Sequence, residues 1–260
     1  MRFVREATRV LGLPLVLIGL WWLWSAQAGN YYVPTPDTVA TTFGDVWFGP
    51  RATQDALPSV LRLLGGLVAA TVLGVGIGVP IGLSRRLRAF VEPVLEFVRA
   101  IPPPVLVPVL MLFAGIGDTM KVLVIVSGCI WPVLLNTIEG VRAADPVLGD
   151  TCSTYGIGGI ARLRHFVLRS ASPQIIAGLR QALSVGIILM VISEMFASSS
   201  GLGFTIVQFQ RSFAVPEMWT GILLLGVLGF VLTMLLRYIE SHVLDWYHGQ
   251  RRVQREGATG

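Results

Sequence analysis

Lysine is nearly absent. Of the 20 basic side chains only Lys121 is a lysine, and it follows Met120 rather than a glycine. The chain therefore has no phosphate-cradling G-x-x-x-x-G-K-[ST] loop, which excludes ATP hydrolysis by that route. Charge of either sign is scarce too. Asp, Glu, Lys and Arg together make 13% of the residues, where a soluble domain carries about 25%. Histidine is limited to His165, His242 and His248, with no H-E-x-x-H among them, so zinc hydrolysis of that kind is excluded. None of the three lies inside an apolar run, as an intramembrane Ser–His hydrolase would need. Only two cysteines occur, Cys129 in an apolar run and Cys152 in a polar one. They are expected at different depths, with no disulfide and no metal site.

What fills the chain is apolar surface. Hydrophobic residues make 53% of it and the mean hydropathy is +0.71, the composition of an all-α integral membrane protein. A pI near 9.8 would suggest nucleic acid in a soluble protein. Here the arginines flank the apolar runs and set their orientation, so no nucleic acid is expected and membrane lipid is.

Taken in order, about six spans are expected. The first apolar run, Val10 to Ala28, ends Ser25-Ala26-Gln27-Ala28, a sequence compatible with signal-peptidase cleavage. Trp21, Trp22 and Trp24 suit instead a retained span with an aromatic anchor at its outer end. Residues 30–57 are polar and punctuated, with a short helix expected near Thr38. The stretch 1–57 thus forms an N-terminal span and an external loop. Residues 58–240 form the core, and 241–260 a basic tail with Arg251, Arg252 and Arg255.

Within the core, the second span (about 58–83) carries Gly74, Gly78 and Gly82 at four-residue spacing. That places small residues on one helix face for a close neighbour, or reflects only the frequency of glycine in such helices. In the third, Glu92, Glu96 and Arg99 lead into Pro102, Pro103 and Pro104. Three prolines remove three donors and cannot sit in a straight helix. In a bilayer the freed carbonyls survive only against protein or a wet cavity, so the break marks a transport path or gate, or a structural kink. The fourth span (122–138) has Trp131-Pro132 in its middle. The fifth (173–196) holds Arg180 and Glu194, about 21 Å apart along a helix and so not paired within it. Arg180 is expected as an anchor near one end, and Glu194 as lining the path or capping backbone near the outer gate. Residues 198–216 suit a short re-entrant or surface helix, and 218–238 a sixth span.

Arginine assigns the sides. Arg85, Arg86, Arg88, Arg142, Arg162, Arg164, Arg169 and Arg237 fall with the basic termini, against Arg51, Arg62, Lys121 and Arg211 opposite. Positive charge concentrates in the cytoplasm, so both termini and the polar segment 141–172 are expected there.

That segment has a recognisable layout. Asp145-Pro146 opens it, followed by Asp150-Thr151-Cys152, Gly156, Leu168 and Pro173, then Ile176-Ala177-Gly178-Leu179-Arg180. It resembles the EAA loop of ABC importer permeases, the sulfonate, taurine and nitrate group above all. Ile101 to Pro108 resembles that family's proline-rich third span, and Ser193-Glu194-Met195-Phe196 with Gly201-Leu202-Gly203 its A-E-x-x and G-L-G region. Two departures stand out: Asp150-Thr151-Cys152 replaces E-A-A, and Arg169 stands where the family has proline.

The resemblance implies a subunit of a bacterial plasma-membrane importer, multi-pass, with no catalytic residue, metal or cofactor of its own. ATP and magnesium would sit on a separate cytoplasmic ATPase. The other implied partners are a second copy or sister permease and an external solute-binding protein. The solute would be small and anionic. A coupling helix between spans four and five would grip the ATPase through Asp150, Gly156, Gly158, Arg162, Arg164, Leu168 and Pro173. Pro102, Pro103, Pro104 and Glu194 would belong to the path or gate. Arg162 and Arg164, two apart, point away from each other on a helix, so at most one faces the ATPase. A stand-alone secondary transporter or channel is the alternative; repeats or several paired intramembrane charges would mark it.

Overall fold

The computed structural model describes residues 2–196 and 198–245; of the expected basic tail 241–260, residues 246–260 with His248, Arg251, Arg252 and Arg255 lie outside them. Every regular element among the described residues is helical: α1 (Arg2–Ala28), α2 (Pro36–Trp47), α3 (Leu57–Leu83), α4 (Arg85–Arg99), α5 (Val107–Ala114), α6 (Asp118–Arg142), α7 (Pro146–Thr154), α8 (Gly159–Arg162), α9 (Leu168–Phe196), α10 (Leu202–Arg211) and α11 (Val215–Val243). An all-helical chain satisfies its backbone internally, as an apolar solvent requires. Among the described residues four helical stretches are long and apolar enough to cross a bilayer: Ala52–Leu83, Asp118–Arg142, Gly159–Phe196 and Val215–Val243. A bent pair, α4 with Pro103–Ala114, supplies a fifth candidate, and α1 holds a shorter apolar stretch, Gly12–Ala28.

The chain divides into two compact units. The first comprises residues 1–58 and 199–227. Its tryptophans hold it together as well as facing outward. Trp21 stacks on Trp219 with ring centres 5.6 Å apart, and the Trp22 indole donates to Asp37 at 3.2 Å. Trp219 donates to the Tyr32 carbonyl at 3.1 Å. The stretch expected as a loop, 30–57, is largely helical: Pro36 at the first turn starts α2, and a π-helical turn, Ala52–Ala56, runs into α3. Asp55 caps the entry to α10 by accepting from the Gly201 amide at 3.1 Å.

Trp47 is buried and donates to Thr220 Oγ1 at 2.9 Å. Thr220→Val keeps the shape but strands the indole N–H, which costs about 1–3 kcal/mol. Thermal unfolding should show that loss for Thr220→Val and little of it for Thr220→Ser, which retains the acceptor.

The second unit comprises residues 59–198 and 228–260, with α6 at its core. One side of α6 meets α3. A Cβ placed on Gly66, Gly74, Gly78 or Gly82 would come within 2.8 Å of Ile125, Val133, Thr137 or Val141. Gly65 and Gly76, off that face, look into open space. The four-residue glycine spacing is therefore a packing seam, in the way small residues let membrane helices approach. The other side of α6 meets α9, where Gly128, Gly140, Gly178 and Gly186 leave similarly little room.

The proline segment breaks the chain as expected, but more sharply than one kinked span. α4 is capped by Ser84, whose hydroxyl accepts from the Leu87 amide, and it buries no residue. α5 has eight residues, about 12 Å of helix, too short to cross alone. The two axes meet at 78°.

Candidate functional site

Hydropathy treats Arg62 and Lys121 as flanking charges. The structure buries both, with side chains 6% and 4% exposed. Arg62 lies one turn inside the apolar run of α3, Lys121 in the first turn of α6, and Glu194, fully buried, in the last turn of α9. The Glu194 carboxylate accepts from Ser59 Oγ at 2.7 and 2.8 Å and from Arg62 Nη1 at 2.7 Å. On the opposite edge of the guanidinium Nε donates to Asp118 Oδ1 at 2.8 Å, and Nη2 stands 2.8 Å from the same oxygen in an ion pair. Lys121 Nζ stands 3.6 Å from that same oxygen. Two cations and two carboxylates thus form a chain that ties the ends of α3, α6 and α9. Asp118 alone reaches solvent, with a side chain 71% exposed.

Buried ions stay charged only when paired and hydrogen-bonded, and this arrangement meets that need. Among the expected site residues only Glu194 belongs to it. Ser59, Arg62, Asp118 and Lys121 were missed, although an arginine one turn inside an apolar helix is itself a functional signal. Arg180, as anticipated, finds no partner in its own helix; it bonds Glu240 on α11.

At the far ends of the same helices sits the polar segment. Asp145 caps α7, accepting from the Val147 amide at 2.8 Å, and Pro146 occupies the first turn. Gly156 (φ +67°) and Gly159 (φ +55°) turn the chain back. The second short helix then runs through a π-helical turn, Leu163–Val167, into α9, so Pro173 lies inside a long helix rather than at its start. Leu168 packs on a core of Val79, Val141, Val167 and Ala171, which fixes the segment to α3, α6 and α9. Arg162 folds back over α7, its guanidinium 3.5 Å from Ser153 Oγ, while Arg164 is exposed. The two arginines do diverge. Asp150 and Gly158 are exposed.

The outer face of this segment is unexpectedly apolar: Val147, Leu148, Tyr155 and Ile160 are 69%, 52%, 77% and 82% exposed. Beside it opens a cleft of about 940 Å³ lined by Arg85, Arg88, Arg142 and Arg162 and by Glu139, Asp145 and Asp150. Elsewhere, Pro102 is extended and Pro103 begins a 3-10 turn. The Pro103 ring lies against Gly128, 3.1 Å from where a Cβ would stand, and Pro104 is half-buried. The break therefore rests on the middle of α6. Among the described residues no group of three or more His, Cys, Asp or Glu could hold a metal.

Comparison with known proteins places this architecture. Residues 70–245 match the family described as "binding-protein-dependent transport system inner membrane component". The taurine transport system permease protein of Escherichia coli is 28% identical over 254 residues, covering 95% of this chain and 92% of that one. A putative aliphatic sulfonates transport permease protein of Bacillus subtilis is 27% identical, covering 90% and 86%. The bicarbonate transport system permease protein of Synechococcus elongatus is 26% identical, covering 72% and 68%. In fold, the chain is similar to one from the MetNI methionine ABC transporter in inward facing conformations, with a TM-score of 0.56 at 19% identity over 71% of this chain and 94% of that one. An all-helical core of membrane-length spans and the family's pattern from residue 70 to 245 lead to one conclusion: the chain belongs to the binding-protein-dependent transport system inner membrane component family.

Proposed function

We propose that this permease subunit carries a small oxyanion, of the sulfonate or bicarbonate class, across the inner membrane for an ABC importer. The subunit role is that of its family; the solute class follows from the names of relatives that align over most of the chain. The observation that carries the coupling mechanism is the apolar face of α7 and α8. Val147, Leu148, Tyr155 and Ile160 project from an otherwise polar segment, as a surface does that another protein covers.

In this reading the chain crosses the membrane six times, counting α1 and the bent pair, with both termini in the cytoplasm. A separate ATPase, which holds ATP and magnesium, closes around residues 146–162. Asp150 and Arg164 face it as polar rim, Gly156 shapes the turn, Gly158 leads into α8 as its N-cap, and Arg162, Leu168 and Pro173 transmit the push into α9. Two permease halves, identical or sister, enclose the path, and the bend at Pro102–Pro104 bounds it. An external binding protein delivers the solute.

Co-expression with a matching ATPase should yield a complex whose ATP hydrolysis requires this chain. Gly156→Leu forces a side chain into the left-handed region, at about 1–2 kcal/mol, with open space around it. The loop itself is strained rather than the core, and hydrolysis should fall roughly tenfold. Ile160→Asp should abolish capture of the ATPase without lowering the yield of the permease. Solute uptake by the purified chain alone, down an ion gradient, would overturn the reading.

A further inference from the structure

The cleft beside the polar segment carries charge that its own walls leave unmatched. Arg142 is answered by Glu139 at 2.6 Å. Asp145 turns one oxygen to the Val147 amide as the cap of α7, and Arg162 lies 3.5 Å from Ser153 Oγ. Arg85 and Arg88 line the α4 side. Among the described residues neither has an ion pair or a side-chain hydrogen bond, although Arg88 is half-buried. With Arg86 they crowd the start of α4, whose first turn has no acidic residue. A helix start favours anions over cations, so these arginines work against the helix that carries them. Positive charge at a span end sets orientation. Orientation asks only for charge near the membrane, not for guanidiniums set in a cleft without a carboxylate of their own.

We propose that Arg85 and Arg88 form a second anchor for the ATPase: a carboxylate-bearing segment of that subunit enters the cleft and pairs with both. The inference rests on the importer reading and adds a contact to the same partner. Two observations favour a protein segment over a lipid headgroup. The cleft is continuous with the docking face, since Asp150 and Arg162 line it and belong to the short helices that carry Val147, Leu148 and Ile160. Its walls also carry both signs around about 940 Å³, which suits a stretch of mixed side chains better than one phosphate. Asp150 repels a lone anion but offers a counter-charge to a cation on the same entering segment. The consequence lies in α4. That helix buries no residue and runs about 22 Å from Arg85 towards the bend at Pro102–Pro104. An ATPase that holds its base moves the bend as well as α9.

The test measures the affinity of the matching ATPase for the whole chain in nanodiscs, at low and at moderate salt. Arg85→Gln with Arg88→Gln should weaken binding about tenfold at low salt and remove most of its salt dependence, because such pairs are screened. Arg85→Lys with Arg88→Lys keeps the charge and should lose far less. Arg86→Gln removes one charge from the same turn, at a position that does not line the cleft, and should bind like the unaltered chain. Equal weakening by Arg86→Gln would mean that net charge alone is at work, and would overturn the anchor. Undiminished binding by the Arg85→Gln, Arg88→Gln pair would overturn it too. So would weakening confined to discs that contain anionic lipid, which would put headgroups in the cleft. Ile160→Asp in the same assay separates the two readings. If it abolishes capture while the double change does nothing, the importer stands and the anchor falls.

Discussion

Glu194→Gln should be the most damaging single polar change in the chain. It takes the buried carboxylate away from the Arg62 guanidinium and from Ser59, and the charge that still faces Arg62 at 2.8 Å is the exposed Asp118. Removing one partner of a buried pair costs about 3–5 kcal/mol, and the surviving Asp118 contact argues for the lower end. Thermal unfolding of the detergent-solubilised protein is the measurement. Glu96→Gln is the control, since Glu96 and Arg99 pair at 2.7 Å with side chains about half exposed. Such a pair is worth less than about 1 kcal/mol. Replacing both buried charges, Arg62→Met with Glu194→Leu, should recover much of the loss, because an apolar pair of similar volume leaves no ion stranded. If Glu194→Gln cost no more than Glu96→Gln, the buried network would not be holding α3 and α9 together.

The second large effect belongs to a glycine. A Cβ on Gly178 would stand 2.7 Å from the Pro132 carbonyl oxygen, 2.9 Å from Asn136 Cβ and 3.1 Å from Val133 Cα. Two of these three are backbone atoms, which do not swing aside as a side-chain tip does. Gly178→Val therefore has to push α9 off α6, the central contact of its unit. Overpacking typically costs about 1–3 kcal/mol, and a blocked backbone places this case at or above the top of that range. Folded yield by size-exclusion chromatography should collapse for Gly178→Val. It should hold for Gly76→Val, whose position on α3 is open. Equal yields would mean that the two helices do not approach as closely as the geometry has them.

Much of this was legible from residues alone, and the reasons differ by element. Apolar length marks α6, α9 and α11 because a helix in lipid has no other way to satisfy its backbone. The break at Pro102–Pro104 is visible because proline acts locally, through its own missing donor. The polar segment is visible as a departure from its apolar surroundings. Arg62 was not legible as a buried ion. Its partner Glu194 is 132 positions away, and the only pairing open to sequence reasoning was within one helix, where Arg180 and Glu194 are too far apart. Hydropathy likewise merged α4 into a span, although it buries no residue and meets the following helix at 78°. Gly178 could be read as part of a motif, but its role depends on the carbonyl of Pro132 on another helix.

The continuity of α8, the π-helical turn and α9 has a mechanical consequence. From Gly159 to Phe196 the chain is one helical rod of 38 residues, roughly 57 Å long. Its lower end carries the exposed Ile160 and its upper end carries Glu194. A rod has no slack: axial displacement at Ile160 reaches the carboxylate without passing through loops. Pro173 is a place where it can flex, and it divides the rod unevenly, about 21 Å below and about 32 Å above to Glu194. A small swing at the short arm is therefore enlarged at the long one, where the distance between Arg62 and its buried counter-ion is set.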